Sequence, residues 1–346
     1  MKKARTRLWG ILLVLIMLMS LMPTMAFAAG EEISISDDTT ILSDGAYILD
    51  SNVELKSGPL TVSGTVTLQL DEGCTLTNAE GQHTIEVKSG AILTITGSGT
   101  VDNVSHGKGA LVNYGTVNLN GGIFTRSAEK STSPSDNGGN SWYVIDNHGT
   151  MTIDGAAVEN NGYFSSLIRN MGDDTTTAIL EIKNGTISNK FIAVKNDDYG
   201  KLNITGGAIE SEDQAIQNWA EATVSGGELT GKVISWAYEN AGYANKITIS
   251  GSANIDGDVL AVNYNNGSNV PEVKITGGTV TGEVQKGVYS NNSIQLQEPD
   301  VSTSKITITG GEFKTNVNAF VPDDMVWNDE TGAVEDLNEE NAAASI

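Results

Sequence analysis

One short phrase, an alternating apolar pattern followed by two glycines, recurs along this chain of 346 residues. It reads LNITGG at 202–207, VKITGG at 273–278 and ITITGG at 306–311, and six further stretches are variants of it. Neighbouring copies lie 20 to 34 residues apart, counted between their first glycines: Gly97, Gly121, Gly155, Gly185, Gly206, Gly226, Gly251, Gly277 and Gly310. Repeats of one type at variable intervals of this size predict a solenoid in which each coil is one supersecondary unit.

The repeated phrase has the period of a β-strand. In ITITGG, Ile306 and Ile308 fall on one face and Thr307 and Thr309 on the other, and all four residues are β-branched. The glycine pair permits a sharp corner after each strand. Equivalent strands follow one another in the same direction, so the sheets are parallel, and the right hand is the default for such crossovers. We therefore predict an all-β chain folded as a single right-handed parallel β-helix of about 10–12 coils.

A second repeated element ends in asparagine. It occurs in ALVNYG, VIDNHG, LIRNMG, AVKNDD and AIQNWA, whose asparagines are Asn113, Asn147, Asn170, Asn196 and Asn218. Asparagine tolerates turn conformations, and stacked amides can hydrogen-bond one another. We predict a structural asparagine corner repeated once per coil. By spacing, the following coils place Trp236 and Tyr264 at the equivalent position, which predicts that aromatic residues replace the amides there.

The ends of the chain differ in composition from the repeats. Basic residues, an apolar run at 11–22 and the Ala26-Phe27-Ala28 sequence are typical of a signal peptide. The predicted organisation is a signal peptide at 1–28, an N-terminal cap at 29–58, the parallel β-helix at 59–315, a C-terminal cap with a hairpin at 316–334 and a disordered acidic tail at 335–346. The polar segment 125–142 is predicted to protrude as a loop.

The charge of the chain limits its partners. The formal net charge is −23, and removal of the four basic residues of the signal segment makes it −27. An acidic surface repels nucleic acid and anionic lipid, so we expect neither nucleic acid nor an inserted membrane as a partner. Cys74 is the single cysteine, so no intrachain disulfide is available. The predicted location is secreted or extracellular, with association at a cell surface as a further expectation.

The repeated ITGG phrase, the asparagine corner, the N-terminal segment 44–78 and the closing segment 310–334 together resemble the secreted β-helix surface proteins of Gram-positive gut bacteria. That group belongs to the broad pectin-lyase-like superfold. The resemblance covers most of residues 40–334. It implies export and a β-helix, but it does not select an activity, because the fold carries lyases, hydrolases and adhesins alike.

Motifs of the enzymes with this fold are incomplete in the sequence. YVIDNH at 143–148 echoes a pectate-lyase signature, but Asn147 interrupts it, and the paired-arginine motif is absent. The Asp pair and the His-Gly pairs of the polygalacturonase type occur in the wrong order. A site for acidic polysaccharides also needs a basic groove, which this composition does not favour. The leading hypothesis is a non-enzymatic adhesion, glycan-binding or structural surface module. A polysaccharide lyase or glycoside hydrolase is the alternative.

Two sets of residues are candidate sites. Tyr114 and Trp219 follow corner asparagines and are predicted to point outward, and Trp142 and Tyr143 precede another corner. Such a strip would stack on the apolar faces of neutral sugars, although packing of these rings against loops is the other interpretation. No cofactor is expected other than calcium. Its candidate ligands are Asp173, Asp174, Asp197 and Asp198, which are otherwise explained as polar loop tips.

Overall fold

The computed structural model describes residues 32–136, 142–238, 245–265 and 267–337. Residues from Ile33 onward belong to one compact unit. The predicted signal peptide at 1–28 and the last nine residues of the predicted tail lie outside the described residues.

Strands and tight corners make up nearly all of this unit. A single 3-10 turn, Asn318–Phe320, interrupts them near the C-terminal end of the described residues. The strands in chain order are β1 (Ile33–Ser34), β2 (Ile41–Leu42), β3 (Gly45–Leu49), β4 (Val53–Glu54), β5 (Leu60–Val62), β6 (Thr65–Leu70), β7 (Thr75–Thr77), β8 (Ile85–Val87), β9 (Ile92–Gly97), β10 (Thr100–Asp102), β11 (Leu111–Asn113), β12 (Thr116–Leu119), β13 (Ile123–Thr125), β14 (Tyr143–Asn147), β15 (Thr150–Glu159), β16 (Ser166–Asn170), β17 (Ala178–Asn189), β18 (Ile192–Asn196), β19 (Gly200–Ile204), β20 (Ala208–Asn218), β21 (Glu221–Val224), β22 (Glu228–Ala237), β23 (Lys246–Ile249), β24 (Asn254–Asp256), β25 (Val259–Tyr264), β26 (Glu272–Ile275), β27 (Thr279–Val280), β28 (Val284–Ser290), β29 (Ser293–Gln297), β30 (Lys305–Ile308), β31 (Glu312–Phe313), β32 (Met325–Trp327) and β33 (Val334–Asp336).

The strands stack into three parallel ladders. The first ladder holds the repeated phrase and runs through β1, β3, β6, β9, β12, the starts of β15 and β17, then β19, β21, β23, β26 and β30. The second follows the glycine corner and runs through β4, β7, β10, β13, the ends of β15 and β17, the starts of β20 and β22, then β24, β27 and β31. The third ends at the asparagine corner and runs through β2, β5, β8, β11, β14, β16, β18, the ends of β20 and β22, then β25 and β28.

These ladders form a β-solenoid of about nine regular turns, with 53% of the chain in strands. A first coil of short strands, β2 to β4, and a last coil interrupted by the antiparallel strand β29 extend it at the two ends. With both end coils included, the ladders agree with the predicted 10–12 coils. The all-β parallel β-helix is therefore confirmed, and its right hand stays a prediction.

The structure shifts two predicted boundaries. The strands β2, β3 and β4 already pair with the second coil, so the solenoid begins inside the predicted cap at 29–58. At the other end, β32 and β33 form an antiparallel hairpin that runs to Asp336, so the predicted tail does not begin at residue 335. In each case a strand continues because its backbone finds a partner, which composition alone does not reveal.

The interior of the solenoid is a column of stacked apolar side chains. In the first ladder, ten residues in register are almost completely buried: Leu68, Ile95, Leu119, Ile153, Ile182, Ile204, Val224, Ile249, Ile275 and Ile308. The inward residues of all three ladders belong to one cluster, and each coil needs the coils above and below to complete its burial. The repetition of the phrase therefore follows from the need for a continuous core.

The two glycines of the repeated phrase are required for different physical reasons. A Cβ on Gly206 would lie 2.2 Å from the carbonyl oxygen of Lys183 in the preceding coil, so a side chain there would collide with backbone. The following Gly207 has a φ of +85°, which L-residues with a side chain rarely adopt. The first glycine thus permits close stacking of coils, and the second turns the chain into the next ladder.

The outer side of the first ladder carries a column of alternating charge. Five residues in successive coils pair in register: Lys201, Glu221, Lys246, Glu272 and Lys305. The ammonium of Lys305 lies 3.4 Å from the carboxylate of Glu272. Cross-strand pairs of opposite charge stabilise a sheet, and like charges placed opposite each other destabilise it. This column therefore favours the observed register.

Glu221→Lys is expected to lower the free energy of unfolding by about 1 kcal/mol, because it places three lysines in succession. The matched control is Glu210→Lys, whose neighbours in register, Ser188 and Thr230, are uncharged. Urea unfolding of both variants at low ionic strength measures the difference. Equal destabilisation by the two variants would contradict a role for the charged column.

Candidate functional site

The five corner asparagines form a continuous ladder of amides. Their side chains are fully buried at the end of successive strands of the third ladder. Each Nδ2 donates to the Oδ1 of the next asparagine, and the distances are 2.7 Å from Asn113 to Asn147, 2.7 Å from Asn147 to Asn170, 2.8 Å from Asn170 to Asn196 and 2.7 Å from Asn196 to Asn218. These side-chain hydrogen bonds link five successive coils, in addition to the backbone pairing of the same strands.

The same amides also satisfy the backbone of the corner. Asn196 donates to the carbonyl oxygen of Glu221 at 2.9 Å, and Asn113 accepts from the backbone N–H of Gly115 at 2.9 Å. Buried polar groups without partners are costly, and the amides supply partners that the turn lacks. The ladder is thus a structural element, and its amides already have hydrogen-bond partners within the protein.

The prediction that Trp236 and Tyr264 continue this column is wrong. In register, Asn218 is followed by Ser235 and then by Ala261, whereas Trp236 pairs with Val262. Trp236 and Tyr264 are therefore displaced from the asparagine column, and Trp236 belongs to an apolar cluster separate from the main core.

Asn245 instead hydrogen-bonds the backbone beyond the last corner asparagine. Its side-chain amide donates to the carbonyl oxygens of Trp219, at 2.6 Å, and of Trp236, at 3.1 Å. Ser235 Oγ donates to the carbonyl oxygen of Asn245 at 3.0 Å. An asparagine from the next connection thus replaces the missing corner residue, so the change of pattern does not leave the backbone unpaired.

A polar group lies on the outer side of the third ladder, and we define it by Tyr114, Tyr143, Asp146, His148 and Arg169. Arg169 makes two hydrogen bonds to the Asp146 carboxylate, of 2.7 and 2.6 Å. The guanidinium carbon lies 4.4 Å from the centre of the Tyr143 ring, and the His148 ring stacks on Tyr114 with centroids 5.1 Å apart. The group comes from β14, β16 and the residues directly after β11 and β14, so it spans three successive strands of the third ladder.

His148 is held at both ring nitrogens. Its Nε2 lies 3.2 Å from Asp146 Oδ1, and its Nδ1 lies 2.9 Å from the carbonyl oxygen of Met171. Each ring nitrogen faces an oxygen atom, so the two contacts fix the orientation of the imidazole. This arrangement favours a positioning role for His148.

The Asp146 carboxyl makes the polar group sensitive to pH. Burial raises its pKa, but the hydrogen bonds and positive charges of His148 and Arg169 outweigh burial and hold the pKa below its ordinary value. A carboxyl with a lowered folded-state pKa stabilises the fold above its unfolded-state pKa. That contribution disappears as the pH falls through the folded-state pKa.

Asp146→Asn is expected to destabilise the protein by about 3 kcal/mol at pH 7, because it leaves the Arg169 charge without its buried partner. The difference from wild type should shrink as the pH falls below the ordinary carboxyl pKa of about 4 and then through the lowered folded-state pKa of Asp146. Urea unfolding at a series of pH values measures it, with the exposed Asp154→Asn as the control. A constant difference down to pH 2 would contradict the ion pair.

Beside the polar group lies a cluster of five rings, which we call the aromatic face: Trp219, Trp236, Tyr238, Tyr264 and Tyr289. Trp219 stacks with Trp236 at 5.2 Å and with Tyr238 at 4.2 Å between ring centroids. Tyr264 stacks on Tyr289 at 5.1 Å and meets Tyr238 edge-on at 4.8 Å. The face therefore spans four successive coils of the third ladder.

The aromatic face rests on a small apolar cluster outside the main core. Ile234, Leu260 and Val262 form it together with Trp219 and Trp236, and Ile294 of β29 packs against its edge. Strands β22 and β25 carry apolar residues at these outward positions, whereas β14, β16 and β18 carry Asp146, Arg169 and Lys195 there. The rings consequently have a rigid apolar support.

The structure divides the predicted aromatic strip. Tyr114 is 47% exposed, but Trp219 is only 6% exposed, so the prediction that Trp219 presents its ring to solvent is wrong. Trp142 and Tyr143 are half-buried with their ring centroids 5.8 Å apart. Tyr114 and Tyr143 belong to the polar group, and Trp219 is a buried member of the aromatic face. The four residues are therefore not one continuous surface.

Sequence analysis missed the exposed part of the aromatic face. Tyr238 is 40% exposed, and Tyr264 and Tyr289 are half-buried. Tyr264 and Tyr289 are paired in the register of the third ladder, and an alignment of these two coils would have indicated that their rings lie next to each other. Burial and the neighbouring Tyr264 raise the pKa of Tyr238, so its hydroxyl is neutral at physiological pH.

Three of the four aspartates considered for calcium, Asp173, Asp197 and Asp198, make other contacts. Asp173 Oδ1 accepts hydrogen bonds from the backbone N–H groups of Thr175 and Thr176, both at 2.8 Å, and Asp174 is exposed beside it. Asp197 pairs with Lys195 at 2.7 Å, and the carbonyl oxygen of Asp198 accepts from Gly172. Within the described ranges, no three His, Cys, Asp or Glu side chains are grouped to hold a metal.

Comparisons of the chain with protein-family models, curated proteins and solved structures found no match. Among the residues placed by the structure, none belongs to a helix with the length and apolar character needed to cross a membrane.

Proposed function

We propose that this protein is a secreted or cell-surface β-solenoid that binds neutral glycans without transforming them. The observation that carries the proposal is the aromatic face, where five rings are assembled on the outer side of one ladder over their own apolar support. Neutral sugars present apolar C–H faces that pack on aromatic rings, and such rings bind best when they are already held in place.

Polar side chains next to the rings suit the hydroxyl groups of a sugar. Lys195 and Asp197 form an ion pair of 2.7 Å one coil before Trp219, and their charges act on Tyr238. Gln217 accepts a hydrogen bond from the Trp219 indole at 3.1 Å and so fixes this ring. Ligand sites commonly combine an apolar surface with a few placed polar groups, and this combination fits a saccharide.

The proposed location and partners follow from the sequence. A predicted signal peptide supports export, and the acidic composition disfavours nucleic acid and anionic glycans as ligands. A repeated, rigid scaffold with its binding residues on one outer face suits an adhesion or surface module. Host or cell-surface glycans are the proposed partners.

A glycan array followed by titration of the strongest neutral hit tests the proposal. Tyr238→Ala and Tyr264→Ala should each weaken binding about tenfold or more, since the loss of one aromatic contact of about 1.4 kcal/mol has that effect. Phe191→Ala is the matched control, because Phe191 is 36% exposed at the opposite end of strand β18 from the corner. Full affinity in both folded tyrosine variants, or no neutral hit at all, would contradict the proposal.

A further inference from the structure

The third ladder ends at the edge strand β29. This strand pairs with β28 in antiparallel fashion, and within the described ranges its other edge pairs with no strand. At the end of the second ladder, by contrast, the N–H of Phe313 donates to the carbonyl oxygen of Gly332 at 2.7 Å, so the chain itself covers that edge. Strand β29 therefore presents a free edge at this end of the solenoid.

The backbone groups on the free edge belong to Ile294 and Leu296. On β28, the carbonyl oxygen of Tyr289 points away from β29, because it accepts from the N–H of Asn265 at 3.0 Å. Tyr289 lies opposite Ile294, and the members of an antiparallel pair direct their backbone groups either both toward each other or both away. Ile294 therefore directs its N–H and C=O to the free edge, as does Leu296 two residues later.

Strand β29 lacks the features that normally protect an edge strand, which are charge, proline and short length. Residues 287–297 contain no charged residue and no proline, in a chain with a net charge of −23. The edge strands of the first coil, β1, β2 and β4, have only two residues each, whereas β29 has five. The edge of β29 is thus open to pairing with another strand.

Leu296 adds an exposed apolar side chain to this edge. It is 57% exposed and lies opposite Gly287, which has no side chain to cover it. Ile294 lies on the same face of the strand and packs against the edge of the aromatic cluster. A strand that pairs with β29 could therefore cover Leu296, provided that it carries an apolar residue at the matching position.

We propose that β29 pairs with β29 of a second copy of this chain and so forms a two-fold symmetric dimer. Antiparallel pairing centred on Gln295 places Ile294 opposite Leu296 of the second copy. These are the two residues whose backbone groups point outward, so they can exchange both hydrogen bonds of a narrow pair. Their apolar side chains then cover each other, and Gln295 lies opposite its own copy on the other face.

Charge favours a second copy over another partner. In this register Ser293 lies opposite Gln297 of the second copy, and Asn292 lies opposite Glu298, so no two carboxylates face each other. Other approaches would bring acidic surfaces of two copies together, and an uncharged strand gives no attraction to a basic peptide. Two five-residue strands make a small contact, so we expect a weak dimer.

Gln295→Cys tests the register of the proposed dimer. Residue 295 would form a non-hydrogen-bonded pair with its own copy, with Cα atoms about 4.5 Å apart, which is within the range for a disulfide. Oxidised glutathione, which is reduced to two thiols as the two cysteines join, should therefore convert the variant into a covalent dimer. Non-reducing electrophoresis measures the yield.

Ser293→Cys is the matched control, because it is exposed on the same face of β29. Its two copies would be separated by about 13 Å along the strands, which is too far for a disulfide. Wild type, whose single cysteine is Cys74, reports any link through that residue. Equal yields of covalent dimer from Gln295→Cys and Ser293→Cys would overturn the proposal.

Sedimentation velocity from about 1 to 200 μM, without glycan, measures the dimer that is not cross-linked, so that micromolar dissociation constants register. Wild type should dimerise with rising concentration. Gln295→Lys should weaken the dimer tenfold or more, because it places two lysines opposite each other. Asn203→Lys, at an outward position of β19, is the control for the added charge and should dimerise like wild type. A monomeric wild type, or a dimer that folded Gln295→Lys leaves unchanged, would overturn the proposal.

Discussion

Replacement of Asn170 by leucine is expected to lower the free energy of unfolding by about 3 kcal/mol, since it interrupts the amide ladder at its centre. The Asn170 amide donates to Asn196 Oδ1 at 2.8 Å and to the carbonyl oxygen of Lys201 at 3.2 Å, and its oxygen accepts from Asn147 at 2.7 Å. Leucine fills a similar volume but makes none of these bonds. Buried backbone and amide partners therefore lose hydrogen bonds without gaining water.

Asn203→Leu is the matched control for this variant, because Asn203 occupies an outward position in the middle of β19. Its effect on stability should stay within about 0.5 kcal/mol, as for most surface substitutions. Urea unfolding followed by far-ultraviolet circular dichroism compares the two variants. Similar midpoints for Asn170→Leu and Asn203→Leu would show that the corner amides do not stabilise the fold.

Arg126→Ala is expected to lower the free energy of unfolding by about 3–5 kcal/mol, which is the range for removal of one member of a buried charged pair. Arg126 is fully buried, and burial lowers its pKa to about 10 against the opposing charges of Glu129 and Asp102. Its Nε donates to the carbonyl oxygen of Lys108 at 2.5 Å and its Nη1 to Ser165 Oγ at 2.6 Å. Removal of the guanidinium removes the positive charge that acts on two buried carboxylates, Glu129 and Asp102.

The double variant Arg126→Ala/Glu129→Gln tests this reason directly. It should be more stable than Arg126→Ala alone, because the uncompensated charge is removed with its partner. Lys183→Ala is the exposed control, since its pair with Glu181 spans 3.4 Å at the surface and should contribute less than about 1 kcal/mol. A double variant less stable than the single variant would contradict a charge-based explanation.

Register explains which parts of the fold could be predicted from the sequence. The spacing of the ITGG phrases and of asparagines such as Asn147 and Asn170 marks equivalent positions in successive coils, and parallel stacking places equivalent residues on top of one another. The coil pattern and the column of asparagines could therefore be predicted from the sequence. Where the pattern changes after Asn218, alignment by spacing failed, because the register there pairs Asn218 with Ser235.

Contacts between loops and distant coils could not be predicted in this way. Alternation correctly places Trp219 away from the main core, but its burial depends on Tyr238, whose ring stacks at 4.2 Å. The segment 125–142 was predicted to protrude, yet Arg126, Glu129 and Ser131 in its first part are buried. Its residues 137–141 lie outside the described residues. A polar composition identifies a loop but does not reveal where the loop packs.

Hydroxyl-radical footprinting with the strongest neutral glycan is the most direct test of the central claim, that the aromatic face binds a saccharide. Oxidation of each tyrosine is measured by mass spectrometry with and without the ligand. The account predicts protection of Tyr238, Tyr264 and Tyr289, with unchanged oxidation of the exposed Phe191. Unchanged oxidation of all three tyrosines under saturating glycan would contradict it.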